Sequence, residues 1–122
     1  VVVYTRTITI PSHHFLPALA PEENQTYHMP YYRLDWDRYD PAPTTDVDFT
    51  LVFLENEHLR VSLLPSLGGR IYQLVDKSTG RNLLYQNAVL KPTRWGPPEM
   101  GWWLAVGGIE WCLPVEEHGY EW

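Results

Sequence analysis

Between residues 49 and 85, short apolar-rich runs are separated by polar turn segments, and over residues 59–64 apolar and polar positions alternate with the period of two that a half-buried strand requires. Residues 49–54 read as one strand, Leu59–Leu64 as the next, residues 70–75 as a third and residues 82–85 as a fourth. In the second of these, Leu59, Val61 and Leu63 share one face and Arg60 and Ser62 the other. Glu55-Asn56-Glu57-His58 reads as a tight turn, and Asp76-Lys77-Ser78-Thr79-Gly80 as a hairpin loop. Pro65-Ser66-Leu67-Gly68-Gly69 reads as a turn or bulge. Short strands at roughly 8–12-residue spacing predict an antiparallel sandwich or barrel.

The flanking regions have a different texture. Residues 1–10 are β-branched, with Ile8 and Ile10 alternating with Thr7 and Thr9, and predict an edge strand. Residues 11–24 carry Pro11, Pro17 and Pro21 and predict an irregular crossing segment. Residues 25–38 are aromatic, with Tyr27, Tyr31, Tyr32 and Trp36, and have room for one short strand. Residues 39–48 hold Pro41 and Pro43 among Asp and Thr and read as a linker. The expected division is therefore an irregular N-terminal segment with an edge strand over residues 1–48. Residues 49–122 would hold the antiparallel strands. Residues 88–101 read as irregular around Trp95, and residues 102–114 as a strand interrupted by Gly107-Gly108.

Composition narrows this picture. A chain of 122 residues is one domain at most. Eleven prolines argue against a helical bundle, and no apolar run approaches the ~20 residues of a membrane-spanning helix. Lys and Arg total 9 against 15 Asp and Glu, a net charge of −6, so nucleic acid is not an expected partner. The single cysteine, Cys112, cannot form an internal disulfide. That fits a cytoplasmic location, which is the expectation here. The first ten residues do not read as a signal peptide.

Three segments carry candidate chemistry. Gly68-Gly69-Arg70-Ile71 pairs conformational freedom with a guanidinium at a strand's start, where Arg70 could reach a hydroxyl-rich or anionic ligand. In Gly107-Gly108-Ile109-Glu110-Trp111-Cys112, Glu110 is the only charge between Met100 and Val115. It is expected to be partly buried, either as a structural carboxylate held by backbone N–H groups or an Arg, or as a ligand-facing group in a cleft. In Glu116-Glu117-His118-Gly119-Tyr120, His118 beside Glu117 is a candidate acid or base and, in the plainer reading, a solvated loop residue. No His or Cys pair has metal-ligand spacing, so neither a metal nor a cofactor is expected. No dinucleotide or P-loop pattern is present. Five of the six Trp fall in the last 28 residues. Trp95 and Trp102 could pack the core or offer sugar-stacking faces. Trp102 and Trp103 are adjacent, so in a strand only one of them can face the core.

The segments Leu54-Glu55-Asn56, Leu59-Arg60-Val61 and Leu64-Pro65-Ser66-Leu67-Gly68-Gly69-Arg70-Ile71-Tyr72 resemble the start of a domain-of-unknown-function family often found ahead of tetratricopeptide repeats. The similarity runs on through Asp76-Lys77-Ser78-Thr79-Gly80, Leu84-Tyr85-Gln86-Asn87 and Val89-Leu90-Lys91-Pro92 to Gly107-Gly108-Ile109-Glu110. That family looks like a branch of the galactose-mutarotase-like, or aldose 1-epimerase-like, β-sandwiches. Gly107-Gly108-Ile109, Cys112, Pro114 and His118-Gly119-Tyr120 are similar to segments of hexose-phosphate mutarotases. The resemblance implies a place for His118 near a sugar ring oxygen. It supplies no catalytic base, and the Arg that follows the matching segment in those enzymes is absent here, where Glu121-Trp122 stand.

The expected fold is thus all-β, the N-terminal part of a galactose-mutarotase-like super-sandwich. Such sandwiches often run to about 250 residues, so the chain is expected to be a piece of a longer protein. The expected function is carbohydrate-related: sugar binding, in an aldose 1-epimerase-like or glycoside-processing setting. His118 and Glu110 would be catalytic, and Arg70, Trp95, Trp102 and Glu117 substrate-binding. As an enzyme the fragment is expected to be inactive on its own. The alternative is a non-catalytic β-sandwich module for protein interaction or assembly. The expected partners are a carbohydrate ligand and either the remainder of the chain or a second copy, which would complete the core.

Overall fold

The computed structural model describes residues 1–23, 30–96 and 100–111. The architecture is all β, consistent with a sandwich-like fold, and the only helical piece among the described residues is a 3-10 turn over Leu16–Ala18. The described residues form nine strands in chain order: β1 Val2–His13, β2 Leu19–Glu23, β3 Pro30–Leu34, β4 Thr44–Glu55, β5 Leu59–Leu64, β6 Arg70–Asp76, β7 Arg81–Asn82, β8 Gln86–Thr93 and β9 Trp103–Gly107. The chain divides into two compact units. The first contains Val1–Ile10, Asp48–Asn87 and the described residues from 107 to 111; the second contains Pro11–Val47 and Ala88–Val106.

In the first unit the strands run in the order β7-β6-β5-β4-β1. β4 and β5 form a hairpin with Val52 opposite Leu63 and Leu54 opposite Val61. Its turn is closed by Asn56, whose Oδ1 accepts the N–H groups of His58 at 2.8 Å and Leu59 at 2.7 Å. An Asn side chain that mimics a backbone acceptor is the reason Asn suits this position. β5 and β6 pair antiparallel with a bulge between Ser62 and Leu63, and Val61 lies opposite Leu74. β7 is only two residues long, because Leu83 to Tyr85 leave the ladder after Leu83 N–H donates to the Leu74 carbonyl at 2.8 Å.

The buried face of this sheet carries Leu51, Phe53, Ser62, Leu64, Tyr72 and Val75. Ser62 is completely buried, while Leu59 on the opposite face is 41% exposed. Alternation is therefore as the sequence predicts, but the most deeply buried positions of β5 are Ser62 and Leu64, not Leu59, Val61 and Leu63. Strand period identifies the two faces; cross-strand packing decides which one is sealed. Ser62 tolerates burial because its hydroxyl lies 3.4 Å from Gln73 Oε1.

In the second unit β1, β8 and β9 are neighbours in that order. β1 and β8 run parallel, with Ser12 opposite Leu90, so the pairing is not purely antiparallel. Strands this far apart in sequence have no tight turn to impose direction. β2 and β3 form a separate antiparallel hairpin, with Leu19 opposite Leu34 and Glu22 opposite Tyr31. The core here is Phe15, Ala18, Tyr31, Leu34, Leu90, Met100, Trp102, Leu104 and Val106. Phe15 and Trp102 meet at 5.6 Å between ring centroids.

Candidate functional site

The two glycine-rich motifs of the sequence meet in the first unit. Gly68 and Gly69 adopt φ of 72° and 64°, which turns the chain into β6. Gly107 and Gly108 also lie at positive φ, and a Cβ on either would collide with backbone, of Tyr85 and Gln86 in one case and Ile71 in the other. Glycine is required there so that the chain can lie close against Tyr85 and Gln86 at Gly107 and against β6 at Gly108. Ile71 and Ile109 exchange backbone hydrogen bonds at 3.0 and 2.9 Å, and Gly108 N–H donates to the Tyr85 carbonyl at 2.8 Å. The Trp111 Nε1–H donates to the Gly69 carbonyl at 3.0 Å.

This approach brings Glu110 to Arg70. Arg70 is 3% exposed; its Nε donates to the Leu67 carbonyl at 3.0 Å, Nη1 to the Gly107 carbonyl at 3.3 Å and Nη2 to Glu110 Oε1 at 2.9 Å. Burial pushes the guanidinium pKa down and the Glu110 carboxylate opposes that shift. The guanidinium fork satisfies three acceptors at once and clamps the 107–110 segment to the start of β6. Arg70 thus faces protein acceptors, and Glu110 is the structural partner that a buried Arg requires.

The remaining predicted residues fare differently. Trp102 is fully buried and donates its Nε1–H to the Tyr32 carbonyl at 2.8 Å. It packs the core of the second unit, where its ring is sealed from solvent rather than offered as the stacking face expected of a substrate-binding residue. Trp95, in the same unit, is 73% exposed. Its loop is fixed close by: the Thr93 hydroxyl lies 3.2 Å from the carbonyl oxygens of both Trp95 and Trp103 and shares its one proton between them, and a Cβ on Gly96 would collide with the Trp102 carbonyl. Cys112, Glu117 and His118 lie outside the described residues.

Two grooves contain side chains that the motifs did not single out. The first unit holds one of about 650 Å³, lined by Val1, Val2, Tyr4, Glu55, Glu57 and Lys77. Its polar groups bond one another. Lys77 Nζ lies 2.7 Å from Glu55 Oε1, and the Tyr4 hydroxyl donates to Glu55 Oε2 at 2.6 Å. Lys77 and then Tyr4 hold the Glu55 carboxyl below its ordinary pKa, and the bond to Glu55 raises that of Tyr4.

The second unit holds a groove of about 540 Å³ lined by Glu22, Arg33, Asp35, Trp36, Asp37 and Arg94 among others. The β2–β3 hairpin and the turn after it build this groove, with Asp35 Oδ1 accepting Asp37 N–H at 3.0 Å. Trp36 Nε1–H donates to the Gly101 carbonyl at 3.1 Å, and Tyr39 meets the indole edge-on at 5.6 Å. The Arg94 guanidinium sits over the Trp36 ring, 4.4 Å from its centroid. The signal for this groove was the acid-aromatic-acid run Asp35-Trp36-Asp37, overshadowed by the tryptophan cluster further along the chain. Among the described residues no group of three His, Cys, Asp or Glu is placed to hold a metal ion. No helix there is long and apolar enough to cross a membrane.

A TPR-domain containing protein from Parabacteroides distasonis ATCC 8503 superposes on the chain with a TM-score of 0.70 at 22% identity. The match covers 96% of this chain and 20% of that one, so the chain spans about a fifth of that neighbour's length. At this identity the likeness speaks for the fold alone. The domain of unknown function DUF5107 matches residues 23–121, and the chain belongs to that family.

Proposed function

We propose that the chain is a non-catalytic assembly domain in which one apolar sheet face is covered by further polypeptide. One observation carries this reading. In the first unit the face opposite the sealed core is also apolar. Cross-strand partners point to the same face, so Val52, Leu54, Val61, Leu63, Ile71 and Leu74 form one continuous patch across β4, β5 and β6. All six are only partly buried, and Leu59 at its margin is 41% exposed. A sheet that is apolar on both faces is ordinarily covered on both. The cover would come from a second copy or from a further segment of a longer chain. Sedimentation velocity combined with dye binding to exposed apolar surface tests this. The isolated chain should bind the dye or self-associate, and replacing Val61 and Leu63 by Thr should reduce both. A dye-silent monomer with a cooperative melt would refute the proposal.

A second reading, sugar binding, rests on Trp95. A large aromatic ring held out from an anchored loop is a natural platform for the C–H face of a sugar ring. The family resemblance to mutarotase-like proteins adds to it. Saturation-transfer NMR against a panel of hexoses and oligosaccharides should show contacts that fade in Trp95→Ala; silence across the panel removes this reading.

A further inference from the structure

The groove of the second unit has the chemistry of a cation site. Its lining includes the indole of Trp36, an aromatic system whose electron-rich face attracts a positive group. The lining also carries three carboxylates, Glu22, Asp35 and Asp37, and the guanidiniums of Arg33 and Arg94. The indole is fixed in place by its bond to Gly101 and by the edge of Tyr39, so the platform exists before anything binds. Arg94 already occupies it, at 4.4 Å from the ring centroid. Arg94 is itself solvent-exposed, and among the described residues no carboxylate lies within ion-pair distance of it. An exposed cation–π contact of this kind adds only about two- to fivefold to the occupancy of its cation. The occupant is therefore one that a competing cation can displace.

We infer that this groove is a docking pocket for an Arg or Lys side chain of a basic protein segment, and that Arg94 is its intramolecular stand-in. Charge complementarity selects that partner. The groove carries a net negative lining and the whole chain a net charge of −6, which steers basic segments toward it and anionic ones away. The inference concerns a different unit from the apolar sheet face and does not depend on it.

A fluorescently labelled Arg-Gly-Arg-Gly-Arg peptide, with its Glu-for-Arg counterpart as control, provides the test by anisotropy at low and high salt. Arg94→Ala should tighten binding of the basic peptide by about two- to fivefold, by removing the competitor. Arg81→Ala, which deletes an exposed positive charge in the other unit, should leave it nearly unchanged. Asp37→Asn, an exposed substitution compatible with folding, should weaken binding, and Trp36→Leu should abolish the gain seen in Arg94→Ala. Equal gains in the Arg94 and Arg81 variants would show general charge attraction and overturn the inference. Equal binding of the acidic peptide, or no binding of the basic one, would overturn it too.

Discussion

Arg70 shows how one side chain can organise a junction. Its guanidinium reaches the carbonyls of Leu67 and Gly107 and the carboxylate of Glu110, so a single residue ties the bend before β6 to the last residue of β9 and the segment after it. Arg70→Met keeps much of the volume but removes the donor from those acceptors and the guanidinium charge from beside Glu110. The expected loss is about 3–5 kcal/mol, the range for breaking one side of a buried ion pair. Glu110→Gln retains an acceptor oxygen and should cost about 1–2 kcal/mol. The double variant should cost less than the sum of the two, since each single change removes the same interaction. Urea denaturation of the three variants checks this, and a loss below about 1 kcal/mol for Arg70→Met would show that the clamp is dispensable. The sequence singled out both residues. It could not pair them, because the contact depends on Gly107 and Gly108 lying against the backbone of Tyr85 and Ile71.

Elements were legible where strands alternate without proline. Leu59–Leu64 emerges with its predicted limits, and β6 ends one residue later than expected. β8 lies across residues that read as irregular, because Pro92 is a poor strand former taken alone. Here Pro92 is buried in the second unit, and tertiary packing overrides local preference. The predicted linker is in part the start of β4, and the hairpin of β2 and β3 was obscured by Pro21 and Pro30. β1, β4 and the loop after β6 are joined by Tyr4, Glu55 and Lys77, and this junction predicts a two-sided pH response. The Glu55 carboxyl is depressed, so its contribution is complete above the ordinary value of 4.5 and is lost as pH falls through the lower folded value. The Tyr4 hydroxyl is raised, so its contribution is complete below 10.0 and is lost as pH rises through the higher folded value. Tyr4→Phe should therefore lower Tm most in the neutral range. Wild type and variant should converge toward both extremes. A constant Tm difference across the pH range would show that the junction contributes only through packing of Tyr4 on Phe53.

At the scale of the whole molecule, the all-β class was readable from composition and spacing, but the fate of each sheet face was not. Leu59, Val61 and Leu63 look like a core stripe, and Ser62 looks like its polar reverse, yet Ser62 and Leu64 are fully buried. Covering a face depends on residues remote in sequence, which a local period does not encode. The unequal burial of adjacent leucines separates stability from assembly. Leu64→Ala empties a sealed site and should destabilise the isolated chain by about 2–5 kcal/mol. Leu63→Ala removes a side chain that already meets water in part, and should cost less than half as much. If the partly exposed face receives another polypeptide, the ranking reverses when association is measured. Leu63→Ala then weakens assembly of the folded chain because its methyl groups belong to the contact. Leu64→Ala leaves assembly of the surviving folded fraction unchanged, because Leu64 points into the opposite layer. Denaturation curves paired with sedimentation equilibrium on the same two variants resolve the question. Equal effects of both variants on association would mean that assembly follows stability alone, and would remove the apolar face from the account of this protein.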